Sequence, residues 1–174
     1  NCYGFLGAKW NTLPVQYTIN PSNTQGLSQE FITSRISAAA ETWDAAIRKE
    51  IFDNAYSIDP TAKAGIRDGK NTLAFTPYPI NALAFASVWM ANGEITEFDI
   101  LFNTNYVWGD ADQNQGFVDI QNLATHELGH GLGLADIYSD SCSDATMYAH
   151  SQHGETQKRT LAKADIKGLK KLYR

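Results

Sequence analysis

The segment His126-Glu127-Leu128-Gly129-His130-Gly131-Leu132-Gly133-Leu134-Ala135-Asp136 constrains the chain more than any other stretch. Helical residues i and i+4 lie about 40° apart around the axis and one turn apart along it. His126 and His130 therefore point the same way if 126–130 is helical. From such a helix both imidazoles reach one zinc ion at about 2.0–2.1 Å. Glu127, beside the first histidine, reaches a water held by that ion without being a ligand itself. Two of only four histidines fall in this pattern with a glutamate between them. Coincidence is a poor reading.

A reactive zinc site needs a third protein ligand and an open position. Gly133 permits the positive φ that turns a chain sharply off a helix. Asp136, three residues on, then points back at the metal, where a carboxylate oxygen binds at about 2.0–2.2 Å. The alternative role for Asp136 is a solvated loop carboxylate or turn cap. His150 and His153 are competing ligands, but no short, fixed geometry links them to the helix. Lining the cleft, or plain exposure, is expected of both.

The 174 residues, 43% of them hydrophobic, suit a single domain spanning 1–174. A formal net charge of −5 argues against nucleic acid or an anionic membrane as the main partner. No apolar run approaches the roughly 18 residues of a membrane span. Asn1 in first place suggests a processed or trimmed chain. The two cysteines, Cys2 and Cys142, can form one bridge. A disulfide is expected, with a Cys2 thiolate on zinc or two free thiols as alternatives. A bridge would place the protein outside the cytosol.

Elsewhere the pattern predicts an α+β order. Residues 14–20 alternate Val15, Tyr17 and Ile19 as a strand. Ser28 caps a helix running to about Glu50, with Ile32, Ile36, Ala39 and Trp43 in one stripe. Strands follow over 71–77 and 83–90, and Asn92-Gly93 turns the latter into an antiparallel partner over 94–102. A polar loop is expected over 103–118. Asp119 then caps a helix through Leu132, and a last helix covers about 162–173.

These residues resemble a metzincin, and within that clan the matrixin type. The metzincin signature adds a Met-turn after the zinc motif, and Thr146-Met147-Tyr148 matches it. Lys9-Trp10 before Val15–Ile19, Glu94-Ile95 through Phe102-Asn103 with Trp108, and Asp165-Ile166 through Leu172-Tyr173 also match. The resemblance implies a mixed twisted sheet with two long helices, an active-site helix, a Met-turn and a C-terminal helix. It implies a secreted, monomeric zinc endopeptidase acting on proteins or peptides, with Glu127 as base and Met147 flooring the metal. Substrate would add as a strand along Ala84, Phe85 and Ala86, facing Tyr148, Ala149 and His150.

Three departures stand out. Asp136 replaces the usual third histidine, as in the small snapalysin-like bacterial proteases. Phe85 and Glu97 stand where matrixins place structural-zinc histidines, and no histidine precedes His126, so one zinc is expected. Ala149 and Ser151 stand where the matrixin specificity wall carries Pro and Tyr. Asp110, Asp112 and Asn114, followed by Gly116 and Asp119, are either oxygen ligands for calcium or an ordinary solvated loop. Two other functions fit parts of the pattern. A binding module that no longer cleaves has no need of Glu127. An aminopeptidase with a distant Glu ligand leaves Gly133 and Met147 unexplained.

Overall fold

The computed structural model describes residues 1–174, and its frame is set by two capped helix starts. The Ser28 side chain accepts from the Phe31 N–H and opens α1, Gln29–Ile47, because the first amides of a helix lack partners within it. The buried face is the expected stripe of Ile32, Ile36, Ala39 and Trp43. The helix ends at Ile47, short of Glu50, where Arg48 turns into the left-handed conformation and donates its N–H to the Asp44 carbonyl. Asp119 likewise accepts from the Asn122 N–H and opens α2, Ile120–Gly131. The last helix, α3, is Lys163–Tyr173. Only α1, with 19 residues, is long; α2 and α3 have 12 and 11, which corrects the expectation of two long helices.

A five-stranded mixed sheet packs against α1 and α2, in the order β2-β1-β3-β5-β4. Its strands are β1 (Thr18–Ile19), β2 (Ser57–Ile58), β3 (Thr72–Thr76), β4 (Ala84–Ala91) and β5 (Glu94–Asn103). All neighbours run parallel except β4 and β5. Asn92 and Gly93, at φ 54° and 76°, join those two through a tight turn whose twist suits an antiparallel pair. β4 pairs with β5 alone, so its outer edge is open.

The expected strand over 14–20 is broken. Val15, Tyr17 and Ile19 are all buried as the alternation implies. Val15 bridges Phe52, whereas Thr18 pairs with Ser57. The partner segment loops out between those two points, which leaves only Thr18–Ile19 as regular strand. The stretch 103–118 is not wholly loop either. Trp108–Gly109 (β6) pairs in parallel with Val118–Asp119 (β7). The indole of Trp108 is buried against Phe102 and Phe75, and its N–H donates to the Asn103 carbonyl at 2.8 Å.

Cys2 and Cys142 are joined by a disulfide. It ties the N-terminal segment to the stretch between Asp136 and Met147. No helix is long and apolar enough to cross a membrane.

Candidate active site

The helix α2 carries both histidines inward, with His126 and Glu127 buried. Trp43 of α1 clamps this helix by donating its indole N–H to the Thr125 carbonyl at 2.9 Å. After Leu132 the chain reverses at Gly133, whose φ is 107°. A side chain there would overlap the Ala8 carbonyl oxygen. The N-terminal segment crosses at this point, and Leu6 donates its N–H to the Gly133 carbonyl at 2.8 Å. The reversal brings Asp136 back over the helix, as the motif spacing implies.

Each imidazole is oriented by a backbone carbonyl. His126 Nδ1 lies 2.7 Å from the Thr146 oxygen and His130 Nδ1 lies 2.8 Å from the Leu134 oxygen. A carbonyl only accepts, so both Nδ1 atoms carry hydrogen, and both Nε2 atoms face Asp136 across the cleft. The two Nε2 atoms lie 3.0 and 3.1 Å from one oxygen, Asp136 Oδ1. Tetrahedral zinc with bonds of about 2.0–2.1 Å spaces its ligand atoms by about 3.3 Å. The two imidazoles and the carboxylate therefore fit such an ion with a small expansion. Ligand atoms of His126, Glu127 and His130 also fall within 4.8 Å of one another, which puts Glu127 beside the same point.

The charges agree with this geometry. Burial opposes protonation of His130, yet its hydrogen bond with Asp136 and the nearby carboxylate of Glu127 raise it to about 9. Burial also opposes ionisation of Asp136, but hydrogen bonds from His126 and His130 hold it well below the ordinary carboxylate range. A divalent cation replaces the shared proton of such a cluster on binding.

Met147 is buried, and its N–H donates to Asp165 Oδ1 at 3.1 Å, with the Thr146 N–H on Oδ2 at 2.8 Å. Asp165, wholly buried at the start of α3, thereby holds the turn whose Thr146 carbonyl orients His126. Spacing gives no hint of this support, because the two partners lie on different elements.

A cavity of about 220 Å³ opens beside His126 and Glu127. Asn81 through Ala84 line one side of it, and Ala149, His150 and Ser151 line the other. Phe85 is half-buried against Tyr78, with ring centres 4.9 Å apart. Ala86 lies further along β4, outside the cavity lining. His150 stands at the rim between the Tyr138 and Tyr148 rings. His153 is exposed and lies 3.2 Å from the Gly116 carbonyl through Nδ1. Neither joins the histidine cluster on α2.

The acidic residues of the 110–119 loop face arginines. Arg159 donates to Asp112 at 2.7 Å and to Asp110 at 3.1 Å, and pairs with both oxygens of Asp119. Arg35 adds a bond to Asp110 at 3.2 Å. Asn114 Oδ1 accepts from the Gly116 N–H. Phe85 and Glu97 are apart in register, opposite Leu101 and Trp89 respectively. Glu97 is buried and accepts the N–H groups of Asp68 and Gly69. Asp99 accepts those of Gly65 and Thr72. These carboxylates hold the 65–72 segment through its backbone.

The family model described as Matrixin matches residues 9–174. Human matrilysin is 30% identical over 171 residues, covering 95% of this chain and 58% of its own length. Rat matrilysin is 29% identical over 169 residues, with the same coverage of each chain. The chain belongs to the matrixins, a family of zinc metalloendopeptidases. It spans 58% of the length of these matrilysins.

Proposed function

We propose that the chain is a zinc-dependent endopeptidase that hydrolyses internal peptide bonds of extended polypeptides. One observation carries this reading. Two imidazole Nε2 atoms, with their Nδ1 positions tied to carbonyls, converge on Asp136 within hydrogen-bonding distance of one oxygen. His126, His130 and Asp136 hold the ion. Bound there, zinc would supply Lewis acidity toward the scissile carbonyl and make the attacking water more acidic. Glu127 accepts the proton of the attacking water and passes it to the leaving amine. Met147 floors the site beneath α2 as part of a Met-turn. The Asp at the third position is the snapalysin-like feature of an otherwise matrixin-like site.

The free edge of β4 takes the substrate as an added strand, because its unpaired backbone groups accept an extended peptide. Ala84 and Ala86 let that peptide approach closely, and Tyr148, Ala149 and His150 face it. The whole chain, 1–174, acts as one catalytic unit and as a monomer. The disulfide suits a secreted protein. In the 110–119 loop the guanidinium of Arg159 supplies positive charge beside the same carboxylates that would hold a calcium ion.

Incubation with end-blocked peptides of mixed sequence, with and without a chelator, tests the reading. Internal cleavage that stops with the chelator is expected. Cleavage confined to free N-termini, or none at all, contradicts it.

A further inference from the structure

Lys158 is wholly buried, an unusual place for an ammonium group. All three of its donors are used. They go to the His150 carbonyl, to Ser151 Oγ at 2.8 Å and to Glu155 Oε1 at 2.9 Å. The same Glu155 oxygen accepts from Asn122 Nδ2 at 2.8 Å, and Asn122 Oδ1 accepts the Lys158 N–H at 2.7 Å. Asn122 is buried in the first turn of α2, one residue before Leu123 of the cavity lining. The network therefore runs from the helix that bears His126 and Glu127 to the wall opposite β4.

That wall has little else to hold it. The Ala149 N–H donates to Ile137 and the Gly154 N–H to Phe117, but no N–H from 150 to 153 donates to another backbone group. Behind the wall lies a second cavity of about 290 Å³, which shares His150 and Ser151 with the catalytic one. A thin partition between two cavities, without a ladder of its own, takes its position from whatever side chains grip it. Lys158 grips it at two adjacent residues.

We propose that Lys158, braced by Glu155 and Asn122, is a positioning residue that sets which substrate side chain fits beside the scissile bond. It fixes the His150–Ser151 wall at one distance from Ala82–Ala84, and so fixes the width of the pocket between them. With its donors saturated and the Glu155 carboxylate beside it, it offers the ligand no free donor. Selectivity here comes from a rigid gap. The inference rests on the endopeptidase reading of the same cleft.

Cleavage-site mapping in a peptide library, for wild type and three variants, tests it. Each variant's zinc content and melting temperature are measured alongside. Lys158→Met removes the grip, and Glu155→Leu removes its brace. Glu155→Gln keeps an oxygen where both Lys158 and Asn122 donate. Both disrupting variants are expected to accept a wider set of residues at the position that enters the pocket. Cleavage of the preferred sequence should drop about tenfold in kcat/KM, mainly through KM. Glu155→Gln should keep the wild-type profile. A purely structural lysine would lower the melting temperature and leave the profile unchanged. An unchanged profile in folded, zinc-loaded Lys158→Met overturns the proposal. Should that variant not fold, the same profile in Glu155→Leu and Glu155→Gln overturns it. Absence of cleavage by wild type would instead sink the endopeptidase reading.

Discussion

Gly129, between the two histidines, packs directly against Met147: a methyl group on Gly129 would overlap the Met147 sulfur. The Trp43 ring closes the same space from α1, at 2.9 Å from that methyl position. The zinc-motif helix thus sits on a residue far along the chain with no room for a side chain between them. Alanine is the better helix former by about 1 kcal/mol. Overpacking a closed core costs about 1–3 kcal/mol. With large buried side chains at hand and no free space, the second effect should win. Gly129→Ala is expected to melt lower than the parent and to bind zinc less tightly, since displacing α2 from Met147 moves both imidazoles. Thermal unfolding with a zinc titration checks this.

Asp136 should matter more to the metal than to the fold. It is about one-third exposed, and its contacts are the two histidines. Losing an outer partner of a metal ligand costs about 10–100-fold in affinity, and losing a direct ligand should cost more. Asp136→Ala is expected to need excess zinc for activity. Asp136→His should retain more, because imidazole is also a good zinc ligand. Competition with a chromophoric chelator measures both.

Arg159 pairs with Asp119, which is almost fully buried and also caps α2. Removing one partner of a buried pair costs about 3–5 kcal/mol. The low end applies here, because the guanidinium is partly exposed. Arg159→Ala is expected to lose about 3 kcal/mol in urea unfolding, and to regain part of it on addition of calcium. The parent's midpoint should not move with calcium at this loop.

Local signals in the sequence carried much of this frame. Ser28, Asn92-Gly93, Asp119 and Gly133 each act on the backbone within a few residues, so spacing alone reveals them. The grouping of His126, His130 and Asp136 was legible for the same reason, since helix geometry and one turn span it. Lys158 and Arg159 were not. In sequence they sit in a polar run that reads as solvated surface, and their partners lie mostly on other elements. β2 was missed because Ser57 and Ile58 are both exposed and owe their conformation to pairing with β1. The disulfide was the expected one of three readings, and the fold brings Cys2 to Cys142.

Asp44 gives the fold a pH dependence of its own. It is buried near the end of α1, where Oδ1 accepts the N–H groups of Ile51 and Phe52 at 3.1 Å. Oδ2 has no partner. Burial raises this acid from 3.8 to about 6, against the pull of those two hydrogen bonds. The folded state thus holds a proton that the unfolded chain releases. This contribution is complete below pH 3.8 and is lost as pH rises through 6. Asp44→Asn keeps the accepting oxygen and removes the charge. It is expected to be more stable than the parent at pH 8, by about 1 kcal/mol or roughly 2–4 °C in melting temperature. The advantage should vanish near pH 4. Melting curves of both proteins across that range decide it.

The central claim is that Glu127 works on the water while His126, His130 and Asp136 hold the ion. Zinc content and turnover of purified Glu127→Ala, measured on one sample beside the parent, test it most directly. The expected result is an equal amount of tightly bound zinc, an unchanged melting curve, and hydrolysis reduced by about 100-fold to 10,000-fold or more. Near-parental turnover would contradict the claim, and loss of zinc would place Glu127 among the ligands instead.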